Sequence, residues 1–381
     1  MSGPLAGLKV VELAGIGPGP MCAMLLADLG ATVICIDRKQ PVAQGIERPL
    51  CFNTLLRNRG VIVLDLKLPA AIETVLELVE QADALIEGFR PGVTERLGLG
   101  PDACLARNPR LVYGRLTGWG QDGPLSPRAG HDINYLALTG LLDAIGREGQ
   151  PPTIPLNVVG DYASGSLYMA VGLLAGVLEA GRSGRGQVVD AAIVDGAAHL
   201  ATTFFGMVAG GIWKPGRGTN ISDSGSHFYD CYECADGRWV AVGPIEEKFF
   251  AELLRHLDID PSSLGPQLSR EGWKPAKAVL AAKFRTRTRD EWSALLEASD
   301  ACVSPVLSFG EAPRHPHLQA RGTFVEIDGI AQARPAPRFS RSVPDTPTPP
   351  RAITPANTDA ALAPWLSAAR IASLRSAGLI D

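Results

Sequence analysis

No stretch of about eighteen uninterrupted apolar residues occurs among the 381 residues, so the sequence offers no obvious membrane span. An excess of charge of one sign is lacking too. The 36 Lys and Arg against 40 Asp and Glu leave a net charge of −4, which argues against a polybasic nucleic-acid surface and an acidic disordered tail. There is no G-x-S-x-G elbow and no Gly-Lys phosphate loop, which removes serine-hydrolase and P-loop readings. Met1 to Leu8 leads directly into a strand pattern without a cationic signal region, and the closing Leu379-Ile380-Asp381 is not a peroxisomal tripeptide. Seven cysteines, an odd set in a chain too large to need staples, suit free thiols in a reducing compartment. The expectation is a soluble, cytoplasmic protein whose partner is a small molecule, with no nucleic acid and no membrane.

What is present is apolar residue enough, 46%, for two cores. Over the first ninety residues, apolar runs alternate with breakers and amphipathic stretches: Leu8 to Leu13, Met21 to Leu29, Thr32 to Ile36, Val61 to Leu66, Ala71 to Val79 and Ala84 to Phe89. Such alternation predicts an α/β fold, a parallel sheet with helices on both faces. Leu111 to Leu116 adds a strand before the Gly/Pro-rich stretch 117–130, after which helical spacing starts a helix close to His131. Ser166 to Ala180 and Ala191 to Val208 read as long helices. His227 to Cys234 and Trp239 to Val242 flank an Asp236-Gly237 turn, a hairpin signal that opens a smaller α+β unit. The division is a large domain over 1–210, a linker over 211–225, a small domain over 226–312 and a return segment over 313–381, whose Pro-rich part 335–355 reads as a surface strap.

The segment Gly15 to Pro20 (GIGPGP) follows the first strand, and Asp37 stands about twenty residues on, where a dinucleotide fold keeps its ribose-binding acid. Pro18 and Pro20 remove amides that such a site needs, which sets the pattern against nicotinamide. Arg38, Arg57, Arg59, Lys67, Arg90 and Arg96 gather near the ends of the predicted strands, as an anionic ligand would require. Solvated loop charge explains the same spacing equally well.

His131 is one of six histidines and stands at a predicted helix start, after a glycine, where the first amides are free to hold an oxyanion. Asp161 is placed at a strand-to-helix junction, where an N-cap is the common fate, and Glu246 opens a later helix. Cys231 and Cys234 lie in an alternating strand pattern that turns them to opposite sides, against a shared metal.

Taken together, VVELAGIGPGP (10–20), IDR (36–38), GFRPG (88–92), TGWGQ (117–121), GHDINY (130–135) and VGD (159–161) make the chain resemble the α-methylacyl-CoA racemases of the family III CoA-transferase superfamily, over essentially its whole length. The resemblance implies a Rossmann-like large domain and an interlocked homodimer, each active site lying between one subunit's large domain and the other's small domain. It matches His131 and Asp161 to paired catalytic bases and Glu246 to the carboxylate that orients the histidine. By the same carry-over, coenzyme A contacts fall on Arg38, Leu64, Asp65, Leu66, Lys67, Gly88, Phe89, Arg90, Arg96, Gly130, Ile133, Asn134 and Tyr135. Transferases of the superfamily usually carry an aromatic residue at the position of His131, use the equivalent of Asp161 as nucleophile, and have a small-domain glycine loop that is not evident around Gly225 and Gly243.

The implied activity is inversion of the α-carbon of a 2-methylacyl-CoA by 1,1-proton transfer through an enolate, a step of lipid and fatty acid metabolism. His131 would act on the S form and Asp161 on the R form. The Asp132 amide is the candidate donor to the thioester oxygen, a role worth about 3 kcal/mol of barrier. No metal, nicotinamide or flavin is required, coenzyme A entering as part of the substrate. The alternatives are a CoA transferase using Asp161 and a non-catalytic acyl-CoA binding protein.

Overall fold

The computed structural model describes residues 2–39 and 48–381. Two compact units are present: Met1–Leu136 with Leu156–Leu200 and Pro316–Asp381, and Ala137–Pro155 with Ala201–His315. The small unit thus takes in residues 137–155 and 201–225, which lie outside the 226–312 span expected from sequence.

The first unit is built on six strands, β1 (Lys9–Leu13), β2 (Thr32–Arg38), β3 (Gly60–Leu64), β4 (Ala84–Glu87), β5 (Val112–Thr117) and β6 (Gln187–Ala192). Their order is β3-β2-β1-β4-β5-β6, and every pairing is parallel. A parallel sheet is covered on both faces, which is why its strands read as nearly unbroken apolar runs. Alternate residues serve opposite cores: Val11, Ile34, Ile62, Leu85 and Tyr113 on one face, Val10, Val33, Ala84, Ile86 and Val112 on the other. The helices Pro18–Asp28 and Tyr168–Ser183 supply Leu26, Met169 and Leu173 to the second core, and Pro69–Val79 supplies Val75 and Leu78 to the first. Truncating any of these to Ala would cost roughly 2–5 kcal/mol. The return segment closes over the first core with Leu362, Trp365 and Leu374. Its extended part lies along the surface, with the Asn58 amide donating to the Thr348 carbonyl at 3.1 Å and the Thr348 amide to Asn58 Oδ1 at 2.6 Å.

Three local expectations are corrected. Residues 191–208 are not one helix: β6 occupies 187–192, followed by the helices Ile193–Leu200 and Thr202–Ala209. Residues 187–192 pair in parallel with β5, and the chain enters that edge so closely that a Cβ on Gly186 would meet the Leu111 carbonyl oxygen at 1.9 Å. Asp161 is not at a strand-to-helix junction. Val158–Leu167 is a wide helical stretch of π type, with the Tyr162 amide donating to the Asn157 carbonyl at 3.3 Å, and it continues directly into Tyr168–Ser183. The whole helical run is apolar and long enough to cross a membrane, but its α-helical part packs on β5 and β6 as a core helix. Finally, Arg57 and Arg59 precede β3 at its N-terminal end, buried in ion pairs with Asp28 and Glu12, and so are unavailable to a ligand.

The small unit carries the hairpin Asp230–Glu233 and Trp239–Val242, joined by a third antiparallel strand, Val303–Pro305. Cys231 is exposed and Cys234 buried, on opposite sides of the hairpin as the alternation requires. The helices Glu247–Leu257, Arg270–Phe284 and Arg289–Leu296 enclose Phe228, Phe250, Trp273 and Trp292.

Candidate active site

At the C-terminal ends of β1, β4 and β5 lies a cavity of about 420 Å³, where open α/β sheets hold their ligands. Its first wall is the glycine loop after β1. Gly17 has φ +67°, and the next residue, Pro18, begins the helix. Ser166 Oγ stands 2.8 Å from the Pro18 carbonyl oxygen, tying the loop to the wide helical stretch. A dinucleotide would place its pyrophosphate against such a loop, but here Asp161 does so: a Cβ on Gly17 would stand 3.0 Å from Asp161 Oδ2. A carboxylate at that place opposes phosphate, which sets the glycine loop against a pyrophosphate-binding role.

Asp161 and His131 both line this cavity. His131 immediately precedes the helix Asp132–Leu138, and its backbone amide donates to Asn134 Oδ1 at 2.9 Å, so Asn134 caps the helix start. The first amides of this helix, beginning with that of Asp132, have no intrahelical acceptor and form a partial positive charge beside the imidazole. Asp161 is half-buried, and Asn157 Nδ2 donates to its Oδ2 at 3.2 Å. Burial pushes its carboxyl above the ordinary carboxylate value; Asn157 opposes this, the charge of Asp132 adds to it, and His131 subtracts. The side chain of Asp132 is buried, and its Oδ2 accepts the Asp161 amide at 2.7 Å.

Tyr135 braces the histidine loop from below. Its hydroxyl donates to the Gly130 carbonyl, and its ring meets Trp119 edge-on at 4.7 Å. Gly118 must be glycine for this, since a Cβ there would fall 2.0 Å from the Tyr135 ring. Burial pushes the Tyr135 phenol up to about 12, with the charges of Asp161 and Asp132 adding and Arg90 opposing, so it remains a donor at neutral pH.

The cationic wall consists of Arg38, Arg90 and Arg128, with the Arg38 guanidinium 5.8 Å from the centre of the Phe89 ring. Glu87, buried at the end of β4, accepts the Phe89 amide at 2.7 Å and Arg115 Nε at 3.0 Å, fixing the loop 88–91. Burial raises the Glu87 carboxyl to about 7, against the pull of the Phe89 amide and Arg115.

Of the residues expected here, the cavity brings together Arg38, Gly88, Phe89, Arg90, Gly130, His131, Tyr135 and Asp161. Others lie off its lining. Leu64 is wholly buried in the core, Asp65 accepts the Lys67 amide at 3.1 Å, Leu66 packs against the core, and Lys67 is exposed. Arg96 is exposed on the short helix Val93–Leu97, Ile133 is exposed, and Asn134 is occupied by the His131 amide. Glu246 belongs to the small unit, in extended conformation before the helix Glu247–Leu257, and its side chain makes no cap hydrogen bond. Residues not singled out individually were Ser126, Arg128, Trp119 and Ile193. Arg128 stood three residues before His131 in a Gly/Pro-rich loop, a signal within reach of the sequence.

An imidazole and a carboxylate of raised proton affinity therefore face one cavity that also holds three guanidinium groups, with the imidazole at the start of a short helix. That set can bind an anion and move a proton next to a carbonyl.

Comparison with known proteins accords with this chemistry. The family model "CoA-transferase family III" matches residues 5–360. Alpha-methylacyl-CoA racemase of Mus musculus is 43% identical over 340 residues, 89% of this chain and 87% of that protein. The Homo sapiens protein of the same name is 42% identical over 334 residues, 87% of this chain and 86% of its own. Among solved structures, a CAIB/BAIF family protein from Brucella suis superposes with a TM-score of 0.79 at 26% identity, covering 97% of this chain and 100% of the other. On a match that spans nearly its whole length, the chain belongs to CoA-transferase family III.

Proposed function

We propose that the protein is an α-methylacyl-CoA racemase that inverts the carbon next to a thioester by a two-base proton transfer. The carrying observation is that His131 and Asp161 open into one cavity. One base takes the α-proton while the other returns a proton to the opposite face of the planar enolate. His131 serves the S form and Asp161 the R form. The Asp132 amide donates to the thioester oxygen as charge accumulates there. An α-proton is a weak acid, so a base of raised proton affinity is favoured over an ordinary carboxylate, and the burial of Asp161 supports this assignment. One proton passes from the α-carbon to one side chain and another from the second side chain to the α-carbon, and the oxidation state of the carbon is unchanged, so the balance of the step calls for no redox cofactor.

Arg38, Arg90 and Phe89 hold the nucleotide part of coenzyme A, through charge and stacking, with the remaining contacts at Gly88 and Gly130. The working form is a homodimer in which Glu246 of a second copy orients the imidazole. Association of copies is supported by Leu167, Val171 and Leu178, exposed by 46%, 67% and 67% on a helix that is otherwise a core element. The site operates in the cytoplasm.

The second reading, a CoA transferase with Asp161 as nucleophile, rests on family membership. An ionisable imidazole beside the carboxylate favours proton transfer. Incubating each enantiomer of a 2-methylacyl-CoA in heavy water tests both: deuterium entry with loss of handedness is expected, with inversion lost in both variants, while His131→Ala still exchanges the α-hydrogen of the R form and Asp161→Ala that of the S form. Thioester exchange with a free carboxylate, without deuterium entry, would establish the transferase instead.

A further inference from the structure

Between the two bases stands a third ionisable group whose side chain has no part in the steps above. Asp132 is the neighbour of His131 in sequence, yet its carboxylate points away from solvent toward the segment that carries Asp161. It is 7% exposed, its Oδ2 accepts the Asp161 amide at 2.7 Å, and the Gly160 amide also acts on it. The fit admits one residue type at position 160, for a Cβ there would lie 2.2 Å from Asp132 Oδ2 and 2.6 Å from its Cγ. Its other oxygen, Oδ1, is buried and has no hydrogen-bond partner among the described residues. A buried carboxylate with one unpartnered oxygen is costly, and its retention beside two candidate bases calls for a reason.

We infer that the Asp132 carboxylate is a positioning residue that sets the separation of the two bases and sustains the basicity of Asp161. The inference rests on the two-base reading. Its geometric part is direct: residue 131 bears one base, residue 132 grips the backbone amide of the other, and so one short link of covalent and hydrogen bonds joins them. The wide turns of 158–167 leave amides without the regular i−4 acceptor, and Asp132 supplies one from outside the helix. The electrostatic part follows from proximity, since a fixed negative charge beside Asp161 makes its protonation easier. The other ionisable groups around Asp161 are His131, Tyr135 and, across the cavity, Arg38, Arg90 and Arg128. The helices Pro18–Asp28 and Ile193–Leu200, which pack on its turn, carry the ionisable residues Asp28, Asp195 and His199.

The test compares Asp132→Ala, Asp132→Asn and Gly160→Ala by α-deuterium exchange and racemisation as functions of pH. Asp132→Ala frees the Asp161 amide and should lose on the order of 100-fold in kcat with little change in KM. Asp132→Asn keeps an acceptor but not the charge: kcat should remain within about tenfold of wild type. With the R form as substrate, on which Asp161 is the base, the acid limb of its kcat/KM profile should move to lower pH, since Asp161 then stays ionised further into acid. Gly160→Ala, which pushes the carboxylate aside, should lose kcat as Asp132→Ala does, and the double variant no more than either alone. An Asp132→Asn profile for the R form whose acid limb is unmoved, or an Asp132→Ala variant with wild-type kcat, overturns the inference. Wild-type protein that exchanges no α-hydrogen would instead undo the two-base reading itself.

Discussion

Gly17 and Asp161 approach so closely that the smallest side chain on the glycine would stand 3.0 Å from a carboxylate oxygen. With φ at +67°, the position also disfavours any L side chain on backbone grounds alone. Gly17→Ala is therefore expected to destabilise the fold by about 1 kcal/mol, the usual penalty of a left-handed alanine. It should lower kcat more than it raises KM, because it displaces a base and leaves the cationic wall intact. Steady-state kinetics together with a thermal melt checks both halves.

Arg38 should govern affinity and leave the chemical step nearly untouched. Removing one charge-assisted contact to a phosphate costs about 1.5–3 kcal/mol, so Arg38→Ala should raise the KM for acyl-CoA about 10- to 100-fold with kcat nearly constant. Wild-type KM should climb with ionic strength and the variant's should climb less, because one screened charge has gone. KM measured across a salt series decides it.

Glu87 predicts a pH effect on stability. Its carboxyl, raised from 4.5 to about 7 by burial, binds its proton more tightly folded than unfolded. The contribution is fully present below pH 4.5 and is lost as pH rises through 7, amounting to about 3 kcal/mol at 1.36 kcal/mol per pH unit. Glu87→Gln removes the titration but can still accept the Phe89 amide. The difference in melting temperature between variant and wild type should grow in the variant's favour from pH 5 to pH 8; a constant difference would remove Glu87 as the cause.

The strands β1 to β5 were legible because a sheet covered on both faces leaves an unmistakable apolar signature, as in Val10 to Leu13 and Thr32 to Ile36. β6 was not, because an edge strand with Gln187, Val188 and Asp190 exposed lacks that signature, and its entry against β5 rests on a close approach of Gly186 to the Leu111 carbonyl. The placement of His131 at a helix start followed from local signals. The surroundings of Asp161 did not, since its wide helical stretch is stabilised by an acceptor 29 residues upstream. Arg57 and Arg59 show the same limit in reverse: their charges suggested a ligand, but Asp28 and Glu12, distant in sequence, already neutralise them.

One face of the sheet at whose strand ends both candidate bases lie is sealed by Trp365 and Leu374, from the far end of the chain. During synthesis, β1 to β6 leave the ribosome long before either side chain exists, and one face of the sheet must wait uncovered. The first unit can therefore mature only after translation has passed residue 374, and a nascent chain halted earlier would present that apolar face to chaperones and to other chains.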